Sequence, residues 1–249
     1  MIKHSLAAVV RVGVLGILGG SGLYKLPFLQ KVVEKSVKTE FGQPSAKPSI
    51  GRVDDTSVVF IPRHGAKHEI PANRINHQAN MAAMKKEGVT HILASASTGS
   101  LKRIIRPGDF VVPDDFIGFW NIPTMRKDVH HATAVLDPEL RRTLVQAATK
   151  KGLIVRNGGT YLQTTGPRLE TRAEIMFFRQ YGDILGMTMA SEATLAGELG
   201  IAYASLCSVD NYCNGIVPQP LTYSHIVLQQ KRNLEKLLRA LETAVEMLA

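Results

Sequence analysis

The sequence predicts an α/β fold, a single-domain three-layer sandwich with a mixed central sheet over residues 1–249. Three observations carry this expectation. Short β-branched runs alternate with helix-like stretches along the chain. Several of those runs are apolar almost without interruption, as strands covered on both faces are. No linker-like stretch divides the chain, and 45% hydrophobic with 20% charged residues over 249 positions suits one large core.

The elements follow in order. An apolar strand at 9–18 runs into a glycine turn, and a second strand is expected at 57–62. A helix at 73–87 leads to a strand at 90–95, and another strand is expected at 109–113. The segment 119–133 has little periodicity and holds Trp120, which marks it as a loop. The helix at 138–151 is announced by an Asp137 N-cap, Pro138 at the first turn and Glu139 beside the positive helix end. A strand at 152–156, a helix at 173–180 and a strand at 183–187 follow. Ser191-Glu192 opens a helix at 192–199 that Gly200 stops. A strand at 202–209 precedes an amphipathic C-terminal helix, 225–248, with Leu228, Leu234, Leu237, Leu238 and Leu241 along one side.

Composition narrows the function classes. Cys207 and Cys213 form no CxxC pair, which argues against a disulfide scaffold or zinc ribbon and for a reducing, cytoplasmic setting. Arg11 interrupts the apolar start, so 1–20 reads as a buried strand and not as a signal peptide. No run reaches the roughly 18 apolar residues of a membrane span. A net charge of +9 invites a nucleic-acid reading, but the basic residues are scattered in pairs and aromatics are only 6%. The positive field either gathers phosphate and anionic substrates or is a plain solvated surface. His130-His131 lacks an acidic or cysteine partner at ligand spacing, so no metal is expected.

Two local motifs suggest anion chemistry. Gly13-x-x-Gly16-x-x-Gly19-Gly20-Ser21-Gly22 follows an apolar strand, where glycine backbone and the Ser21 hydroxyl can donate to an anion. Its spacing fits neither the dinucleotide fingerprint nor the P-loop. Arg63-His64 sits directly after a strand and offers a guanidinium fork beside an imidazole; His68 is a helper or a polar loop residue.

Gly166-Pro167-Arg168-Leu169-Glu170-Thr171-Arg172-Ala173-Glu174 and Gly186-Met187-Thr188 complete an ordered set with those two. With GILGGSGLY, IPRHGAKHEIPANRINHQAN, ASTGSLKRIIRPGDFVVPDDF, TTGPRLETRAEI, GMTMASEATLAGELGIAYASL and NYCNGI, the chain resembles the trimeric purine nucleoside phosphorylases and methylthioadenosine phosphorylases, from about Val12 to the last helix. The resemblance implies attack of inorganic phosphate on C1′ of a purine nucleoside, with phosphate as co-substrate and no other cofactor.

Carried over residue by residue, the resemblance gives phosphate to Ser21, Arg63, His64, Ser97, Thr171 and Thr188. Ala96 stands where relatives often have Thr or Asn, so Ser97 or backbone must serve. Met187 lies against the ribose, and Glu170, Asn211, Tyr212, Cys213 and His225 meet the rest of the nucleoside, with Asn211 and His64 as the catalytic pair. Adenine-type relatives have Asp-Tyr-Asp where this chain has Asn211-Tyr212-Cys213, and Ser where it has Glu170. An asparagine donates to O6 and bonds N7, and a glutamate accepts from N1–H, so both departures point to inosine or guanosine. The competing reading of Glu170 is a carboxylate at a helix start. A one-residue slip would put Asp210 in the pocket; keeping Tyr212 in register rejects it. His225 either contacts the 5′-hydroxyl or merely caps the last helix. The remaining alternatives are a methylthioadenosine or methylthioinosine phosphorylase and a non-catalytic nucleoside-binding protein. The resemblance further implies a homotrimer or homohexamer, with no nucleic-acid or membrane partner.

Overall fold

The structure, a computed structural model, describes residues 13–120, 122–129, 131 and 133–249. The expected strand residues 9–12 and His130 lie outside the described residues. In chain order the elements are β1 (Val14–Gly19), β2 (Gln30–Glu34), β3 (Ser49–Val53), β4 (Thr56–Pro62), α1 (His77–Lys86), β5 (Val89–Ser100), β6 (Phe110–Val112) and β7 (Asp115–Gly118). There follow α2 (Pro138–Lys150), β8 (Val155–Asn157), β9 (Thr160–Gln163), α3 (Arg172–Phe178), β10 (Ile184–Gly186), α4 (Met189–Leu199), β11 (Ala202–Tyr212) and α5 (Tyr223–Leu248).

All strands join one mixed sheet, with β2-β3-β4-β1-β5-β10-β9-β7 along one path. The long strand β5 is its branch point. β11 runs parallel to it from His91 to Ser100 and leads on to β6 and β8. The opposite edge of β5 is shared: β1 pairs in parallel as far as Ala94, and β10 pairs antiparallel at Gly99 and Ser100. The sheet therefore forks between these points.

Period-2 alternation supplies both faces of the sandwich. On β4, Val59 and Ile61 join Met81 and Met84 of α1 and Ala193 and Leu195 of α4. Val58 and Phe60 face the other way, onto Leu140 and Leu144 of α2 and Leu237 and Leu241 of α5. The apolar spacing read in the last helix is this buried stripe. α3 closes a smaller cluster, Ile175 and Phe178 against Leu162 and Leu185.

Several helix starts differ from expectation. Asn76, not Asn73, caps α1, its side chain accepting from Ala79 N at 2.9 Å, while Ala72–Arg74 forms a separate 3₁₀ turn. α4 begins at Met189 and not at Ser191, because the buried Tyr161 hydroxyl accepts from the N–H groups of Thr188 and Met189. Asp137 caps α2 as expected, accepting from Leu140 N at 2.8 Å. Strands β2, β3, β7 and β9 fall outside the expected set; β2 is exposed throughout and has no apolar alternation.

Candidate active site

At the fork, the edge of β5 between Ala94 and Gly99 has no strand partner, and a cavity of about 350 Å³ opens beside it. Such a crevice at the ends of strands that diverge is where open α/β sheets bind ligands. Chain turns converge there from distant parts of the sequence. Gly20 and Ser21 follow β1, Arg63 and His64 follow β4, Gly186 to Thr188 follow β10, and Asn211 ends β11.

Arg63 dominates one end, but not as a free fork. Its Nε donates to Glu192 Oε1 at 2.5 Å and its Nη2 to Glu192 Oε2 at 2.9 Å. Nη1 donates to the Ser95 carbonyl at 2.5 Å and Nη2 to the Leu18 carbonyl at 3.2 Å. Of the guanidinium's five N–H donors, these contacts leave one uncommitted. Both side chains are 1% exposed, and Tyr203 Oη also donates to Glu192 Oε2 at 2.8 Å. Burial works against the guanidinium charge, but the Glu192 carboxylate outweighs it and Arg63 stays charged.

The glycine run is likewise partly spent. Gly20 N–H donates to Ser95 Oγ at 2.9 Å and Gly22 N–H to Tyr24 Oη at 3.1 Å, so the expected backbone cradle reduces to the Ser21 end. Gly20 is a close approach: a Cβ there would lie 2.7 Å from the Ser95 carbonyl and 2.8 Å from Arg63 Nη1. Gly186 is another, since a Cβ would collide with Tyr161 Oη. His64, 8% exposed, is driven down to about 4 by burial and the Arg63 charge, and is neutral at pH 7. Ser97 faces the cavity but accepts from Gln230 Nε2 at 2.9 Å.

The other end is built for a flat polar group. Glu170, 8% exposed, faces the cavity with its Oε1 accepting from Thr164 Oγ at 2.6 Å. Asn211 and Cys213 line the same end, the Asn211 amide donating to the Tyr212 carbonyl at 2.9 Å. A register shift between Val209 and Asn211 turns Asp210 away, where Asn233 Nδ2 donates to it at 2.7 Å and Ser208 Oγ at 3.1 Å. Burial pushes the Asp210 carboxyl up to about 6. Asn211, not Asp210, faces the cavity.

Residues 14–246 match the family model described as "Phosphorylase superfamily". The chain belongs to the phosphorylase superfamily. It is 39% identical over 234 residues to an Archaeoglobus fulgidus protein named "Probable 6-oxopurine nucleoside phosphorylase", covering 93% of this chain and 96% of that one. It is equally 39% identical over 240 residues to the Pyrococcus abyssi "S-methyl-5'-thioadenosine phosphorylase", covering 93% and 91%. A solved structure of methylthioadenosine phosphorylase from Schistosoma mansoni with adenine superposes with a TM-score of 0.88 at 31% identity, covering 94% of this chain and 91% of that one.

In this phosphorylase the cavity gathers Ser21, Arg63, His64, Ser97, Glu170, Met187, Thr188, Asn211 and Cys213 from the expected set. It does not gather Thr171, Tyr212 or His225. Thr171 is the N-cap of α3, accepting from Glu174 N, with Glu174 returning the contact to Thr171 N in a capping box. Tyr212 alternates away from Asn211 and donates from Oη to the Arg103 carbonyl at 3.2 Å. His225 is exposed in the first turn of α5, its N–H bonded to Thr222 Oγ, beside a separate hollow; the capping alternative is the one observed. Tyr223, Leu221 and Ile226 line the cavity in its place. Sequence reading missed these, along with Thr164, Gln230 and Glu192, because their partners lie far along the chain. Among the described residues no group of His, Cys, Asp and Glu is arranged to hold a metal, and no helix is long and apolar enough to cross a membrane.

Proposed function

We propose that the protein catalyses phosphorolysis of 6-oxopurine nucleosides, inosine and guanosine, with inorganic phosphate as co-substrate and no other cofactor. The observation that carries this is Glu170 and Asn211 facing one end of the cavity whose other end holds Ser21, Arg63, His64 and Thr188. Phosphate is held by the hydroxyls of Ser21 and Thr188 and the free N–H of Arg63, in line with C1′. As the C1′–N9 bond breaks, its electron pair moves onto the purine, where the Asn211 amide stabilises charge growing toward N7 and O6. Glu170, oriented by Thr164, accepts from N1–H, a donor that adenine lacks at neutral pH. The sugar packs against Met187. Phosphate closes on C1′ as the base leaves, and the purine takes up a proton to depart neutral.

A second reading has a specific observation behind it. Leu221 and Ile226 give the α5 end of the cavity an apolar wall, and His225 points outside it. That wall suits a 5′-methylthio group, which makes methylthioinosine the rival substrate with the same base. Release of base from inosine, guanosine, methylthioinosine and methylthioadenosine, with and without phosphate, tests both readings. Preference for either adenine-type substrate overturns the base assignment, and phosphate-independent release or none overturns the reaction.

The same proposal includes a homo-oligomer, a trimer or a dimer of trimers. Phe119, Trp120, Phe177 and Tyr181 are about half exposed and clustered around Phe178, an apolar patch suited to a second copy. Light scattering on the purified chain tests it; a monomer at micromolar concentration refutes it.

A further inference from the structure

His64 and Ile70 are tied by a double contact. Ile70 N–H donates to the His64 carbonyl at 2.9 Å, and His64 Nδ1 lies 3.0 Å from the Ile70 carbonyl. Gly65, at φ +82, allows the tight turn between them, and Glu69 Oε2 accepting from Lys67 N–H at 2.7 Å braces it. A carbonyl oxygen only accepts, so Nδ1 must carry the ring proton. Burial and the neighbouring Arg63 cation disfavour a second proton. The Nε2 atom is left as a lone pair, and His64 lines the cavity.

Its neighbours at that end have the opposite character. Ser21 and Thr188 bring hydroxyls, and Arg63 brings its remaining N–H; all donate to an anion. The Arg63 charge is itself matched by Glu192, so net charge alone sorts anions poorly here. An acceptor set among donors accommodates an anion that still carries a proton. Hydrogen phosphate has a P–OH group at neutral pH. Sulfate has none, and would turn an oxygen lone pair toward Nε2.

We propose that His64 determines which anion the site takes, accepting the P–OH hydrogen of phosphate through Nε2 and excluding anions that have no proton to give. This rests on the phosphorolysis reading. It makes His64 a specificity residue acting by its tautomer, in contrast to a cationic phosphate clamp.

The test uses phosphate and sulfate as probes on the full chain at pH 7. Calorimetric affinities for each are compared with inhibition by sulfate of phosphate-dependent inosine cleavage. Phosphate should bind about tenfold or more tightly than sulfate, since a buried acceptor left facing an acceptor is costly. His64→Gln, whose amide can turn to donate, should narrow that ratio to about threefold or less, by weakening phosphate and strengthening sulfate. Independently of any variant, the ¹⁵N signal of Nε2 should report an unprotonated nitrogen that moves on adding phosphate and not on adding sulfate. A protonated Nε2, equal affinities in the wild type, or an unchanged ratio in His64→Gln overturns the proposal. If Nε2 is unprotonated but responds to nucleoside and not to phosphate, it meets a sugar hydroxyl and the proposal is equally overturned. Failure of phosphate to support base release at all would overturn the function itself, whereas release with indifferent anion choice overturns only this inference.

Discussion

Arg63→Met should separate what the buried ion pair does for stability from what it does for phosphate. The guanidinium and the Glu192 carboxylate meet at 2.5 and 2.9 Å, and both are 1% exposed. Without Arg63, the carboxylate keeps the Tyr203 hydroxyl at 2.8 Å and the His77 ring at 3.9 Å, neither of them a cation at pH 7. Removing one partner of such a pair costs about 3–5 kcal/mol. At about 2–4 °C per kcal/mol for a chain near this size, Tm should fall by about 6–20 °C. Adding Glu192→Leu removes the stranded charge and should restore most of that loss. Neither variant regains phosphate use. Loss of the one free N–H, a contact to a charged ligand worth about 1.5–3 kcal/mol, should raise KM for phosphate about 10- to 150-fold and KM for inosine far less. Thermal unfolding of both variants beside initial rates, with phosphate and inosine varied in turn, measures all of this. A Tm change under about 2 °C in the single variant would refute the energetic argument, because surface substitutions do as much. Equal rises in both KM values would remove Arg63 from the phosphate end.

Base choice should rest on Glu170 and Asn211: the double variant Glu170→Ser with Asn211→Asp is expected to lose inosine cleavage by about 10⁴-fold and to gain adenosine cleavage. An inosine preference kept by that variant would sink the pocket assignment. His225→Val should leave the ratio of inosine to methylthioinosine turnover within about twofold, because the side chain stands outside the cavity; a larger change would show that it reaches the sugar. His64 and His77 are each lowered by burial from 6.5 to about 4. The fold favours their neutral forms, so each contributes about 3 kcal/mol that is present above pH 6.5 and lost as pH falls toward 4. Tm should therefore drop steeply across that window, and His77→Gln should flatten the drop; an unaltered slope in the variant would discount His77.

The architecture was legible where periodicity is long. The alternation of apolar runs announced β1, β4, β5, β11 and the two cores, and Asp137-Pro138-Glu139 announced α2 to the residue. Short strands such as β9 and β10 escaped or blurred because three or four residues carry too little pattern. At the site, residue types showed which side chains reach the cavity better than what each does there. Arg63 reads in sequence as a free fork, and only the fold reveals Glu192, far along the chain, taking two of its donors. Thr171 and Glu174 spell a capping box, a local signal that competes with the ligand role a hydroxyl suggests. His225 and Tyr223 differ by two positions on a helix, enough to exchange the exposed face for the cavity.

The close approaches at Gly20 and Gly186 have a consequence for how such a site diverges. A single added carbon at Gly20 meets the Ser95 carbonyl and Arg63, and at Gly186 it meets the Tyr161 hydroxyl, so neither turn tolerates even alanine without displacing the strand beside it. The phosphate end is thereby closed to gradual change. Substitution without structural cost is confined to the opposite rim, at Leu169, Glu170, Cys213, Leu221, Tyr223 and Ile226, where side chains meet the ligand and not the sheet. A handful of exchanges there can redirect substrate choice while the rest of the chain drifts at its own pace. Overall identity is therefore a poor measure of specificity in this scaffold, and relatives bearing different substrate names stand at the same 39% from this chain.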